Sequence, residues 1–334
     1  MSLDGKLMAQ ARIRHSENKA EREAKHRGRQ REAYAAAPRL QEIDTALRET
    51  VQAVIHIALD GAPDPEARLS AIGAKSEALQ EEARTHLTAA GFPADYLDDI
   101  PHCPICDDTG HDGPRVCACL MDIYRRLQTE ELSNLLNLGA EHFDAFSLDY
   151  YDHRTVDPRF GTTSRENMEM NYQICHRYAT TFGPHSQNLF LVGAPGLGKT
   201  FLSSCIAKVV AESGYSVVYD TAGSLFRHFE TAKFGRGDEA EETREEVDRY
   251  QSCDLLILDD LGTELTTSFV VSALYELINT RLLRKKQTVI SSNYSLEALA
   301  DKYTPQIMSR LEGEYEILTF FGQDIRKLKK ESLS

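Results

Sequence analysis

The sequence predicts an α/β domain built on a parallel five-stranded sheet, preceded by a helical region and a small cysteine-rich segment. From residue 188 onwards, short continuous apolar runs alternate with stretches of helical periodicity. Because strands buried on both faces are apolar at every position, this alternation is typical of a parallel sheet with helices on both faces. The predicted strands are Asn188–Val192, Ser216–Asp220, Asp254–Asp259, Thr288–Ser292 and Glu316–Phe320.

The residues ahead of this sheet carry a different pattern. Apolar residues recur three or four positions apart from Leu40 to Ala58 and again from Leu69 to Leu87, which predicts two amphipathic helices joined by a short turn. The first 40 residues hold ten Lys or Arg and five Asp or Glu, and predict a solvated helix or a partly disordered arm.

Composition and charge narrow the function classes. The 334 residues suffice for two or three domains, and 52 Asp or Glu against 38 Lys or Arg give a net charge of −14. This balance argues against a simple charge-driven DNA binder. The sequence has no apolar run of the roughly 18 residues that a membrane helix needs, and its charged N-terminus is unlike a secretory signal. We expect a cytoplasmic protein without a membrane partner.

A phosphate-binding loop follows the first predicted strand. The segment matches the pattern G-x-x-x-x-G-K-[ST] and lies between a strand and a helix, as this loop requires. Its backbone N–H groups and the helix N-terminus attract phosphate, Lys199 is expected to reach the β- and γ-phosphates, and the Thr200 hydroxyl is expected to reach Mg²⁺. The residues expected to bind ATP are Gly193, Ala194, Pro195, Gly196, Leu197, Gly198, Lys199, Thr200 and Phe201.

Two aspartates end the third predicted strand and supply the acidic residues that an ATP-binding site needs beside its phosphate loop. Carboxyl groups at the C-terminal edge of a parallel sheet face a nucleotide bound there. We expect Asp259 to hold Mg²⁺ through water and Asp260 to polarise the attacking water. Asn293 follows the fourth strand and suits a residue that orients this water, while Arg310 and Arg326 are candidates to stabilise the developing charge.

Four of the seven cysteines lie within 17 residues and predict a zinc site. They are Cys103, Cys106, Cys117 and Cys119. The first two form a Cys-x-x-Cys pair, and the other two can supply the remaining thiolates of a tetrahedral ion. His102 or His111 is an alternative to one of the thiolates. With no open position the site is expected to be structural, and the small segment around it to depend on zinc for its fold.

The order of these motifs resembles the AAA+ ATPases of the DnaC/DnaI helicase-loader clade, which also contains the IstB transposition helpers. The resemblance covers roughly residues 140–330 and rests on the phosphate loop, Leu-Leu-Ile-Leu-Asp-Asp, Thr-Val-Ile-Ser-Ser-Asn, Ser-Arg-Leu and Gly-Gln-Asp-Ile-Arg. It implies an AAA+ P-loop fold with Asn293 as the sensor-1 residue, Arg310 as an arginine finger offered to a neighbouring subunit's ATP, and Arg326 as a sensor-2-type arginine. Asp260 stands where many AAA+ proteins have Glu, which predicts slow ATP turnover.

The family also has a helical insertion that touches single-stranded DNA, which maps here to residues 222–251. Arg227, Lys233 and Arg236 are candidate phosphate contacts, whereas seven acidic residues between Asp238 and Asp248 argue against the whole insertion lying on DNA. Upstream, the cysteine-rich segment is similar to that of DnaI-type loaders, in which a zinc-bearing N-terminal domain binds the replicative helicase.

The resemblance predicts a helicase loader in four segments. They are a helical partner-binding region at 1–100, a zinc-binding segment at 101–120, a helix and linker at 121–160, and the AAA+ ATPase domain at 161–334. Residues 1–100 are expected to bind the hexameric replicative DNA helicase. ATP binding is expected to assemble the ATPase domains side by side around single-stranded DNA, and hydrolysis to release the loader.

Two other functions stay open. If the chain is an IstB-type transposase helper, we expect it to bind double-stranded DNA and a transposase. Simple IstB chains, however, resemble the ATPase domain more than the N-terminal helices and zinc segment. The third possibility is an adaptor protein that binds zinc and DNA under the control of ATP binding, without significant ATP turnover. The net negative charge of the chain and its complete set of predicted catalytic residues argue against this function.

Overall fold

A computed structural model gives the fold and describes residues 3–60, 65–136 and 142–331. The turn predicted between the two amphipathic helices falls on residues 61–64, which lie outside these ranges. The chain divides into two compact units, Arg12–Leu120 and Met1–Ala11 with Met121–Ser334. Among the described helices, none combines the length and the apolar character that crossing a bilayer requires.

The unit Arg12–Leu120 consists of helices and a two-stranded hairpin. The elements that contribute to it ahead of residue 118 are α1 (Gly5–Ala36), α2 (Arg39–Asp60), α3 (Pro65–Ala89), β1 (His111–Asp112) and β2 (Arg115–Val116). Ala33, Leu40 and Leu87 form a small buried core, so the start of α2 packs beside the end of α3. Most of the predicted segment 1–100 thus shares one unit with the segment 101–120, and the division of the chain by role stays a prediction.

The apolar stripe predicted along α2 is buried at its start and exposed at Val51 and Val54. Leu40 and Ile43 are buried, whereas Val51 and Ile55 are 61% and 54% exposed and Val54 is exposed beside them. The second half of α2 therefore presents an apolar face, named the α2 stripe here and formed by Val51, Val54 and Ile55.

The second unit contains a five-stranded parallel sheet with helices on both faces, which confirms the predicted fold class. The elements from residue 118 onwards are α4 (Ala118–Leu136), β3 (Val156–Asp157), β4 (Thr162–Thr163), α5 (Ser164–Thr180), β5 (Asn188–Gly193), α6 (Lys199–Glu212), β6 (Val217–Thr221), α7 (Ala222–Phe234), α8 (Asp238–Ser252), β7 (Leu255–Asp259), α9 (Ser268–Leu283), β8 (Gln287–Ser292), α10 (Leu296–Ala300), α11 (Pro305–Glu314), β9 (Tyr315–Phe320) and α12 (Ile325–Glu331). The strands of the sheet lie in the order β6-β7-β8-β5-β9. Each predicted strand is present, with ends shifted by one residue at most.

Burial on both faces of the sheet explains why its strands are apolar at successive positions. Leu255 of β7 lies in the core on one face, and the next residue, Leu256, lies in the core on the other. Because β5, β7 and β8 run parallel, their C-terminal ends meet at one edge. The phosphate loop, the two aspartates and Asn293 follow these ends and therefore lie along the same edge.

Candidate functional site

The phosphate loop connects β5 to α6 and owes its shape to three glycines. Gly196 and Gly198 have φ angles of +78° and +94°, a region that residues with a Cβ atom rarely adopt. A Cβ atom at Gly193 would overlap the carbonyl group of Phe320 on the neighbouring strand β9. The helix α6 begins directly after the loop at Lys199, so the N–H groups of its first turn are available to an anion.

The loop also contacts the segment that leads into α12. The backbone N–H of Ile325 donates to the Gly196 carbonyl at 3.0 Å, and a side chain at Gly196 would collide with the Asp324 carboxylate. Asp324 in turn accepts the backbone N–H of Arg326 at 2.9 Å. These contacts bring Arg326 to the loop, and they make Asp324 a site residue that the sequence pattern did not single out.

Lys199 is buried at the centre of the site. Its Nζ donates hydrogen bonds to the carbonyl groups of Gly193 (2.6 Å) and Ala194 (2.8 Å) and to Oδ1 of Asn293 (2.9 Å). Burial lowers the pKa of Lys199 to about 8, although the nearby aspartates oppose this shift. The ammonium group is therefore charged at pH 7 and loses its proton in mildly alkaline solution.

Asn293 connects Lys199 to Asp260. Its Nδ2 donates to Oδ1 of Asp260 at 2.7 Å, while its own Oδ1 accepts from Lys199. Burial and the neighbouring Asp259 carboxylate raise the pKa of Asp260. A carboxylate with a raised pKa, held in place by an amide, is suited to accept a proton.

A cavity of about 310 Å³ opens beside the phosphate loop. Its lining combines polar groups with aromatic rings, as is typical of sites for small molecules. The residues outside the loop and α6 that line it are Ala145, Phe146, Ser147, Tyr150, Tyr151, Asp260, Asn293, Ile325, Arg326 and Lys329. The Tyr151 hydroxyl donates to the Leu197 carbonyl at 3.0 Å, so the predicted linker helps to hold the loop. The abundance of aromatic residues after residue 142 is the only sequence signal that this linker lines the cavity.

Asp259 is more deeply buried than Asp260 and does not line this cavity. Its carboxylate accepts hydrogen bonds from the hydroxyl groups of Tyr219 (2.6 Å) and Ser291. The oxygen donors of Thr200 and the two aspartates are of the type that Mg²⁺ prefers, so these residues fit the ion. A contact between Asp259 and Mg²⁺ through water stays a prediction, and Tyr219 and Ser291 are partners that sequence reasoning missed.

Arg310 lies on α11 and is not among the residues that line the cavity. Its Nε donates to Oδ1 of Asn279, and its guanidinium carbon lies 5.1 Å from the centre of the Tyr275 ring, within the range of a cation–π contact. Both partners belong to α9. The structure thus brings Lys199, Asp260, Asn293 and Arg326 to one cavity and leaves Arg310 outside it.

The predicted metal site is a compact group of four thiols. The Sγ atoms of Cys103, Cys106, Cys117 and Cys119, together called the cysteine cluster, lie within 4.8 Å of one another. The Cys103–Cys117 and Cys106–Cys119 distances are 3.7 and 3.5 Å. A tetrahedron with Zn–S bonds of about 2.3 Å has edges of about 3.8 Å, so the four thiols fit zinc. Among the described residues, neither His102 nor His111 belongs to this group.

A tight turn shapes the cysteine cluster. Asp107 and Asp108 adopt φ angles of +49° and +57°, and the backbone N–H of Asp107 donates to the Cys103 carbonyl at 3.0 Å. Although burial opposes ionisation, a hydrogen bond from the Gly110 backbone and the neighbouring thiols lower the pKa of Cys106 to about 6. The thiolate is the form of cysteine that binds a metal ion.

The predicted insertion consists of α7 and α8. Arg227, Lys233 and Arg236, the candidate phosphate contacts, are exposed. Lys233 Nζ lies 5.8 Å from the centre of the Phe234 ring and 5.3 Å from that of Phe269. Phe234 is itself exposed, and sequence reasoning missed this ring at the end of α7.

Comparison with known proteins finds relatives that match part of the chain. The chain is 30% identical over 122 residues to the replicative helicase loader DnaI of Bacillus subtilis, which covers 35% of this chain and 37% of that protein. It is 33% identical over 98 residues to an insertion sequence ATP-binding protein (y4iQ/y4nD/y4sD) of Sinorhizobium fredii, covering 29% of this chain and 31% of that protein. The chain therefore spans about a third of the length of these curated relatives.

A solved structure and a family match complete the comparison. The crystal structure of the DnaC helicase loader superposes with a TM-score of 0.42 and 22% identity, covering 55% of this chain and 100% of that one. Residues 166–332, half of the chain, match the IstB-like ATP binding protein family. This range contains the phosphate loop, both aspartates, Asn293 and Arg326. The chain therefore belongs to the IstB-like ATP-binding protein family.

Proposed function

We propose that this chain is an ATP-dependent helicase loader, which binds the replicative DNA helicase through the unit Arg12–Leu120 and delivers it to single-stranded DNA. The α2 stripe is the observation that carries the proposal, because it exposes three neighbouring apolar side chains. It lies in a unit outside the IstB-like match at 166–332, so ATP binding does not account for it. Contiguous exposed apolar side chains mark protein–protein contacts.

ATP binding and hydrolysis control assembly and release in this proposal. Lys199 binds the β- and γ-phosphates, Asn293 orients the attacking water, and Asp260 accepts its proton. Thr200, and Asp259 through water, would hold Mg²⁺, which would supply neutralisation of the phosphate charge. The Asp260 side chain is shorter than the glutamate of many AAA+ proteins, so turnover is slow and ATP acts as a switch.

Single-stranded DNA binds the exposed cations of α7 and the loop after it, namely Arg227, Lys233 and Arg236. Phosphate contacts by arginine and lysine give affinity that falls as salt is raised. Phe234 adds a ring on which a nucleobase can stack. Zinc in the cysteine cluster has a structural role, because the four thiols occupy every position of a tetrahedral ion.

Arg310 acts between subunits in this proposal, and mixing two variants tests its role. Arg310→Ala and Lys199→Ala proteins are each expected to lose about 1,000-fold in ATPase rate when assayed alone. A mixture is expected to regain at least about a tenth of the wild-type rate, because Lys199→Ala subunits still offer Arg310 to the intact sites of the other variant. Phosphate release in the presence of single-stranded DNA measures both effects.

Arg284→Ala serves as the matched control for this mixing experiment, since Arg284 is an exposed arginine at the C-terminal end of α9. Its ATPase rate is expected to equal that of the wild type. A mixture that stays as inactive as its components would contradict the role of Arg310 between subunits.

Capture from native cell extract tests the proposed partner. The tagged full-length chain is expected to retain the hexameric replicative helicase, identified by mass spectrometry. A variant with Val51→Ser, Val54→Ser and Ile55→Ser is expected to retain at least about tenfold less, because three apolar contacts of about 0.8 kcal/mol or more each are lost. Leu283→Ser removes an even more exposed apolar side chain from the other unit and should capture the helicase normally.

A transposase-helper function is the second candidate, and two comparisons favour it. They are the IstB-like family match and the similarity to an insertion sequence ATP-binding protein. This function predicts that the same capture experiment retains a transposase and that the chain binds double-stranded DNA. Capture of a transposase, or of the helicase equally well by the α2 stripe variant, would overturn the loader proposal.

A further inference from the structure

We propose that His15 and Arg22 of α1 belong to the zinc site as positioning residues, so that zinc loading holds this part of α1 in place. The inference rests on the zinc binding proposed for the cysteine cluster. It assigns a role to a long polar helix, for which the sequence pattern predicted a solvated helix or a partly disordered arm.

One face of α1 carries three basic side chains that contact the segment leading into and around the cysteine cluster. His15, Arg22 and Arg29 are spaced by seven residues, so they lie on the same side of the helix. Arg29 donates to the Asp98 carbonyl at 3.1 Å and lies over the Tyr96 ring. His15 contacts the cysteine cluster directly, and Arg22 reaches it through Asp108.

His15 contacts the metal-binding sulfur directly. Its Nε2 lies 3.5 Å from Sγ of Cys119, within hydrogen-bonding distance for sulfur. A Cβ atom built on Gly110 would be 3.5 Å from Cε1 of His15, so the ring lies against the backbone of the turn. An N–H group directed at a metal-bound thiolate stabilises its charge and fixes its orientation.

Arg22 reaches the cysteine cluster through Asp108. Its Nε lies 3.0 Å from Oδ2 of Asp108, and the two side chains are 13% and 4% exposed. Asp108 also accepts the backbone N–H groups of Cys103 (2.9 Å) and His102 (3.1 Å), so its carboxylate holds the backbone of a metal ligand. Arg22 pairs with Asp99 as well.

The rest of this stretch gives α1 little apolar support. From Arg12 to Glu32, none of the side chains is buried, and the buried apolar residues of α1 are Leu7, Met8, Ala11 and Ala33. Its ion pairs within the helix, such as Glu21–Lys25, are exposed, and solvent screening makes them weak. The polar contacts with the cysteine segment therefore position this stretch.

Zinc release and hydrogen exchange of the full-length protein test the inference. His15→Ala and Arg22→Ala are expected to weaken zinc binding about 10- to 100-fold in chelator competition, as loss of a group that holds a metal ligand does. Both are expected to speed amide exchange across residues 12–32 while zinc is still bound. His15→Gln should retain much of the wild-type behaviour, because its amide can donate to sulfur.

Arg27→Ala is the matched control, since Arg27 is an exposed residue of α1 that pairs with Glu23 of the same helix. Its zinc affinity and exchange should equal those of the wild type. Removal of zinc from the wild type is expected to abolish the protection of residues 12–32. If the wild type binds one zinc ion per chain but the amide exchange of α1 does not change when zinc is removed, this inference alone is overturned. Purified wild-type protein that binds no zinc would overturn the proposed zinc site and this inference together.

Discussion

Replacing Lys199 by alanine is expected to weaken ATP binding at pH 7 by about 100-fold or more. The buried ammonium group donates to two loop carbonyls and to Asn293, and phosphate oxygens would compete for its protons. Charge-assisted hydrogen bonds contribute about 1.5–3 kcal/mol each, and about 3 kcal/mol corresponds to a factor of more than 100 in affinity. Calorimetric titration with a non-hydrolysable ATP analogue measures the change.

The same lysine gives ATP binding a specific pH dependence. Burial lowers the pKa of Lys199 to about 8, so the group is charged below this pH and neutral above it. Bound phosphates favour the charged form, and binding above pH 8 must therefore take up a proton. Titration of Lys199 is expected to leave the wild-type affinity for ATP unchanged below pH 8. Above pH 8 it is expected to lower this affinity by up to about tenfold per pH unit. In Lys199→Ala this additional slope should disappear.

Lys208→Ala provides the control, because Lys208 lies on the same helix α6 but does not line the cavity. Its ATP affinity should match the wild type at each pH. An unchanged affinity in Lys199→Ala, with an unchanged melting temperature, would show that the phosphate site is elsewhere.

Replacing Cys106 by serine is expected to abolish zinc binding and to unfold the cysteine-rich part of the unit Arg12–Leu120. Binding of structural zinc contributes on the order of 10 kcal/mol to the folding of small domains, which is comparable to the total stability of an ordinary one. Elemental analysis should find about one zinc ion per wild-type chain and almost none in the variant. Hydrogen exchange across residues 101–120 should become fast, and a strong chelator should have the same effect on the wild type.

Cys175→Ala is the matched control, because Cys175 is buried in α5 and lies outside the cysteine cluster. It should keep its zinc while losing some stability of the second unit, since a buried sulfur is removed. Cys106→Ser should leave ATP binding intact, because the phosphate loop belongs to the second unit. A Cys106→Ser protein that retains zinc and normal exchange would refute the metal site.

The strands could be predicted almost to the residue because burial on both faces leaves a continuous apolar run. Leu255 to Leu258 of β7 form such a run, and each is buried. Their order in the sheet could not be predicted in this way. The strand β5 lies between β8 and β9, which follow much later in the chain, and this pairing depends on how whole layers pack.

The candidate site was predictable where a local pattern carries the chemistry. Lys199 and Asp260 each follow a strand or loop whose motif is recognisable alone, and the sheet edge brings them together. Tyr219, Ser291 and Asp324 were missed because each is ordinary in its local sequence and meets the site only through the fold. The exposure of the α2 stripe could not be predicted for a similar reason, since periodicity predicts an apolar face but not what covers it.

The backbone at Asp260 limits which residues can occupy this position over evolutionary time. Its φ of +59° lies in the left-handed region, where aspartate and asparagine are enriched and most other residues with a side chain are disfavoured by about 1–2 kcal/mol. A glutamate here would gain reach at the expense of the turn, whereas asparagine would keep the turn and lose the charge. Asp260 is therefore matched to the shape of its backbone as well as to its chemistry.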